Sequence, residues 1–121
     1  MKETLPKSVQ ELILSLREKL KDEPEIVDMF ERCYSNTLDT TVKKMEDGST
    51  YVITGDIPAM WLRDSVAQLR PYLVPAQNDP ELADLIAGLI RRQFMCINID
   101  PYANTFPENL VKLIRSSGVL P

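Results

Sequence analysis

The chain of 121 residues contains no histidine. That removes Ser-His-Asp and Cys-His nucleophile pairs and every zinc site built on imidazole. Chemistry here must rest on carboxylates, Arg, Lys, Tyr or a cofactor. Glycine is scarce, with four in all. Neither G-x-G-x-x-G nor G-x-x-x-x-G-K-[ST] occurs, so nothing signals a nucleotide cradle. Lys and Arg number 14 against 18 Asp and Glu, a net charge of −4. The two signs are mixed with no basic run, so nucleic acid is not an expected partner. No apolar run approaches the roughly 20 residues of a membrane span, so a membrane is not expected either. The start, MKETLPKSVQEL, lacks the apolar core and small-residue cleavage site of a secretion signal. Cys33 and Cys96 are the only cysteines and lack metal-ligand spacing. Two free thiols suit a reducing compartment, so the cytoplasm is the expected location. Both fall on apolar stripes and read as packing groups rather than redox centres.

What is present has the composition of a globular domain. The chain is 44% hydrophobic and 26% charged, too apolar for disorder and long enough for one core. Ser8 and Glu11 form a capping-box pattern ahead of Val9, Leu12, Ile13, Leu16 and Leu20, which predicts an amphipathic helix over 8–21. Pro24 suits the first turn of a second helix, whose stripe of Ile26, Val27, Phe30, Cys33, Tyr34, Leu38 and Val42 runs to about Lys44. The short break between them predicts a helical hairpin. Asp47-Gly48 is a turn signal, and the β-branched and aromatic run 50–54 predicts a short extended segment. Helix is expected again over 61–72. Asp79-Pro80 should cap and open a further helix with Leu82, Leu85, Ile86, Leu89, Ile90 and Phe94 on its apolar side, ending near 97. Gly88 weakens that helix by roughly 1 kcal/mol against Ala but permits close packing. Asp100, placed before a proline, is disfavoured in helix. Glu46-Asp47 reads as a solvated turn. The fold class is therefore all-α, built of helical hairpins.

One stretch does not read like ordinary packing: GDIPAMWLRDS at 55–65. It gathers Asp56, Arg63, Asp64 and the chain's single tryptophan, Trp61, around Pro58 and an apolar pair. The functional reading is a carbohydrate subsite. An indole covers the apolar C–H face of a sugar, while carboxylates and a guanidinium bind pairs of hydroxyls. Gly55 and Pro58 would fix the bend that presents these groups. The structural reading is equally concrete. Arg63 and Asp64 would make a local salt bridge, Trp61 would pack, and Asp56 would cap the next helix. On composition alone the second reading is the more ordinary one. The later DPYAN at 100–104 reads by itself as a helix-ending turn.

Five segments taken together resemble glycoside hydrolase family 125. They are FERCY at 30–34, DGST at 47–50, TGDIPAMWLRDS at 54–65, QLRPY at 68–72 and DPYAN at 100–104. The resemblance runs from about residue 10 to Phe106. That family comprises metal-independent, exo-acting α-mannosidases associated with α-1,6-linked mannose, on an (α/α)6 barrel. The resemblance implies that Asp56, Trp61, Arg63 and Asp64 shape the pocket for a terminal mannose, with Tyr102 and Asn104 near the same rim. It implies an α-mannoside glycan as ligand, no cofactor and no metal.

The resemblance also marks what these residues do not supply. An inverting glycosidase needs a general acid and a separate general base on opposite faces of the sugar. In this family an aspartate and a glutamate well downstream of DPYAN fill those roles, so no catalytic residue is assigned here. The expected division is an N-terminal portion of the barrel over 1–106 and a divergent tail over 107–121. The tail carries Leu110, Val111 and Ile114 in a short helical pattern with Gly118 beyond. The barrel portion alone is expected to be inactive, with unpartnered inner faces that leave self-association open. A non-catalytic remnant, or a small sugar-binding or interaction module, is the alternative.

Overall fold

A computed structural model describes residues 5–110 of the chain. It is predominantly helical, as expected, but it is not all-α. Among the described residues, five α-helices are interrupted by two two-stranded antiparallel sheets. In order, these are α1 (Lys7–Lys19), α2 (Pro24–Thr40), β1 (Val42–Lys44), β2 (Thr50–Val52), β3 (Ala59–Trp61), α3 (Leu62–Leu69), α4 (Leu73–Ala76), α5 (Pro80–Ile99) and β4 (Thr105–Pro107). A 3-10 turn, Arg70–Tyr72, links α3 to α4.

The first hairpin forms, with different ends from those expected. Val9 and Ile13 of α1 and Val27 and Tyr34 of α2 are buried. Arg17 spans the pair through Asp28 at 2.9 Å and Glu31 at 2.7 Å. The Ser8 capping box is not made. α1 starts at Lys7 behind Pro6 with no side-chain cap, and the Ser8 hydroxyl donates instead to Asp79. Helix α2 stops at Thr40, short of Lys44. The Thr41 hydroxyl turns back to the Thr37 carbonyl, and Val42–Lys44 pair with Thr50–Val52 across the Gly48 turn, where φ is +84°. Two adjacent β-branched residues, Thr41 and Val42, favour that exit from helix. Cys33 and Ile26 are exposed rather than packed. Cys96 is buried, and burial pushes its thiol up to about 11.

Helix α5 is the long axis of the packing. Asp79 caps it, as the sequence suggests, by accepting from the Leu82 amide at 3.1 Å. The helix continues to Ile99 instead of ending near 97, and Asp100 then leaves it with extended φ −154°. Its buried stripe is Leu82, Gly88, Leu89, Arg92 and Cys96, whereas Ile90 and Phe94 face outward. The stripe is rotated because β2 lies directly over Gly88. A Cβ there would come within 2.6 Å of Thr50 Oγ1, and Thr50 donates to the Leu85 carbonyl at 2.7 Å. Arg92, 3% exposed, fastens the same hairpin. It donates to Ser49 Oγ and to the Glu108 carbonyl and lies 5.2 Å from the Tyr51 ring centre.

A second cluster joins α2 to the turn after α3. Phe30, Tyr34 and Tyr72 stack in series, with ring centres 4.6 and 4.2 Å apart. Tyr34 donates to the Pro71 carbonyl and Tyr72 to the Tyr34 carbonyl. Their burial raises both phenols above the usual range. These contacts fix α3 by its C-terminal end, leaving its first turn to be placed by β3. The helical pattern expected over 107–121 lies outside the described residues from Val111 onward. Before that, Pro107 belongs to β4 and Leu110 is buried. Among the described residues, no helix is long and apolar enough to cross a membrane.

Candidate functional site

The motif at 55–65 begins with a left-handed glycine, Gly55 at φ +90°, a conformation other residues adopt only with strain. The chain then loops through Asp56, Ile57 and Pro58 and returns on itself, with the Thr54 amide donating to the Ala59 carbonyl at 3.3 Å. From Ala59 it runs as β3 straight into α3. Trp61 is thus the last strand residue, and Arg63 and Asp64 lie in the first turn of the helix.

Strand β4 supplies the second half of the site. Ala59, Met60 and Trp61 pair with Pro107, Phe106 and Thr105 respectively. Beyond the ladder, the Leu62 amide donates to the Asn104 carbonyl at 3.0 Å. Asn104 therefore adjoins the start of α3 through its backbone. Tyr102 stands at the tip of the preceding turn, 92% exposed, with its amide held by Asp100 at 2.9 Å. The two segments are separated along the chain by the whole of α5, and the sheet brings their ends together.

The ordinary packing reading fails for two of its three parts. Asp56 is exposed and does not cap α3, which has no side-chain cap. Trp61 is only half-buried. The third part holds: Arg63 and Asp64 form an ion pair at 3.5 Å. With side chains 87% and 47% exposed, that pair contributes little to stability and both groups remain open to solvent. From Arg63, an open groove of about 610 Å³ follows α3 past Val66, Ala67 and Arg70 to Pro71. Of the four motif side chains, Arg63 lines this groove and pairs with Asp64, while Asp56 is exposed on the loop and Trp61 is half-buried at the end of β3.

A somewhat larger cavity, about 680 Å³, lies elsewhere, between β1, Arg92 and Glu108–Leu110. Its wall carries Lys43, Lys44 and Arg92 against Glu46, Asp47 and Glu108, and Lys43 is already paired with Glu108. With its charges balanced and Arg92 committed to the fold, it has less to offer a ligand than the motif does.

Sequence reading missed the residues that hold the motif in place. Thr54 accepts the Trp61 amide at 2.8 Å through Oγ1, and Gln93 of α5 donates to the Leu62 carbonyl at 3.2 Å and to Ser65 Oγ at 3.0 Å. The one available signal was Gln93 itself, a polar side chain between Ile86, Ile90 and Ile97 on the helix.

The chain belongs to the metal-independent alpha-mannosidase (GH125) family, whose model matches residues 23–118. That match takes in much of the segment beyond Phe106. Among its relatives is the meiotically up-regulated gene 157 protein of Schizosaccharomyces pombe, 46% identical over 104 residues. The alignment covers 83% of this chain and 20% of that protein. A metal-independent alpha mannosidase of Streptococcus pneumoniae, solved in a non-productive substrate complex with alpha-1,6-mannobiose, is 56% identical with a TM-score of 0.83. It covers 87% of this chain, and this chain 25% of it. The chain thus spans about a fifth to a quarter of the relatives it matches.

Proposed function

We propose that this chain is the N-terminal portion of an inverting exo-α-mannosidase that hydrolyses α-1,6-linked mannosides, and that it contributes the binding half of the site. In this reading Trp61 covers the C–H face of the terminal mannose. Asp56, Arg63 and Asp64 take its hydroxyls, and Tyr102 and Asn104 line the rim. The general acid and base belong to the segment that family resemblance places after DPYAN; the base activates a water that attacks opposite the leaving group, whose oxygen the acid protonates. The location is the cytoplasm. The observation that carries the proposal is the β3–β4 pairing, which joins the Trp61–Asp64 segment to Asn104 in a chain 56% identical to a mannobiose-bound relative.

The test uses the single tryptophan. Titration of α-1,6-mannobiose should change Trp61 emission saturably, and Arg63→Ala or Asp64→Ala should abolish the change. The purified chain should release no mannose from the same sugar. Turnover would overturn the division of labour, and a flat titration would remove the binding role.

The outward apolar side chains of α3, α4 and α5 keep a second reading in view, that of a non-catalytic helical remnant or interaction module. Concentration-dependent association with no response to sugar would favour it.

A further inference from the structure

We propose that Gln93, with Thr54 opposite it, is a positioning residue that sets the angle at which the motif presents Trp61, Arg63 and Asp64; this rests on reading those three as mannoside-contacting groups. The groups themselves are poorly anchored. Arg63 and Asp64 touch each other and solvent, and α3 begins without a cap. Their direction is therefore set by the backbone from Trp61 to Ser65. Three side chains grip that backbone. Thr54, 3% exposed, receives the Trp61 amide and donates to the Ala59 carbonyl at 3.2 Å. Ser65, fully buried, donates to the Leu62 carbonyl at 2.8 Å. Gln93 reaches from α5 and gives its amide to both Leu62 and Ser65.

The packing of α3 on α5 does not need this arrangement. Leu69 and Leu89, both buried, supply apolar packing further along the two helices. The amide of Gln93 is aimed at the first turn only, where the sugar-facing side chains begin. A site of this kind loses affinity when its supporting hydrogen bonds are lost, even with every contacting group intact.

The experiment uses the whole chain with Gln93→Met, which keeps length and cannot donate, and Ser65→Ala as a milder second variant. Amide hydrogen exchange at residues 62–65 should quicken about tenfold in Gln93→Met, and less in Ser65→Ala, while the Tyr51 and Val52 amides keep their rates. Acrylamide should quench Trp61 more strongly in Gln93→Met. No change at 62–65, or the same acceleration at Tyr51 and Val52, would overturn the proposal. If Gln93→Met does not fold, Ser65→Ala decides by the same readout. In the mannobiose titration Gln93→Met should bind about tenfold more weakly than wild type, and equal affinity would overturn the proposal. A wild-type chain silent to mannobiose removes the mannoside reading, and with it the functional role of Gln93, while the exchange rates still show whether the grip exists.

Discussion

Gly88 is the residue at which helix propensity and packing disagree. On a free helix face alanine would be favoured by about 1 kcal/mol. Here the added methyl would sit 2.6 Å from Thr50 Oγ1 and 2.8 Å from the Gly48 carbonyl, and the second of these is backbone. Crowding should win, so Gly88→Ala is expected to destabilise by about 1–3 kcal/mol, read as a lower urea midpoint. A raised midpoint would mean that the β1–β2 hairpin can step away. Asp79 poses a question of charge. The Ser8 hydroxyl, and then the Leu82 amide, hold its carboxyl below the usual range. A depressed carboxylate stabilises the fold above its unfolded pKa, and that stability is lost as pH falls through the folded value. Melting temperature should therefore fall more steeply from roughly pH 5 to pH 2 in wild type than in Asp79→Asn or Ser8→Ala. Parallel curves would show that the contact carries no linkage. These two residues also show what a sequence reveals. The cap at Asp79 was legible because its partner lies three residues on. The role of Ser8 was not, because its partner lies 71 residues away and outcompetes the local box.

At the scale of elements, the helices were legible from their apolar spacing and the two sheets were only half so. The β1–β2 hairpin announced itself through Asp47-Gly48 and a β-branched run, although its first strand was read as the end of α2. β3 and β4 left no trace, since three residues give no usable alternation and each strand is defined only by the other. Yet this sheet is what brings the motif to Asn104, a nearness that the family resemblance implied but that no local spacing in the sequence could show. Its packing rests on Met60 and Phe106, which face each other across the ladder and are both buried. Phe106→Ala should cost about 3–5 kcal/mol. If the sheet is what aligns the motif, Trp61 emission should shift to the red before the helical circular dichroism is lost in a denaturant series. Coincident loss of both signals would mean that the sheet and the helices melt as one unit.

The molecule as a whole carries an apolar face that its own described residues do not cover. Val66, Leu73 and Val74 on one side and Ile90, Phe94 and Ile97 on the other are exposed, Phe94 by 63%. Between them runs a groove of about 310 Å³ floored by Leu69, Ile86 and Leu89. Sequence reading put Ile90 and Phe94 on one apolar side of the helix with Leu82 and Leu89, whereas the helix has two apolar flanks and these two residues face outward. β2 takes the flank that carries Gly88, and the other is left outward. The matched relatives are several times longer than this chain, and in the proposed enzyme this second flank is expected to be covered by that further length. A chain presenting that face in water should associate. Sedimentation velocity should show a weight-average mass that rises with concentration. Ile90→Glu combined with Phe94→Glu should return it to the monomer value. Because both side chains already face solvent, the double variant should melt within a few degrees of wild type once association is removed. A wild-type chain that stays monomeric at every concentration would show that this flank is not sticky enough to drive assembly. A double variant that unfolds would show that the flank is packed in solution after all.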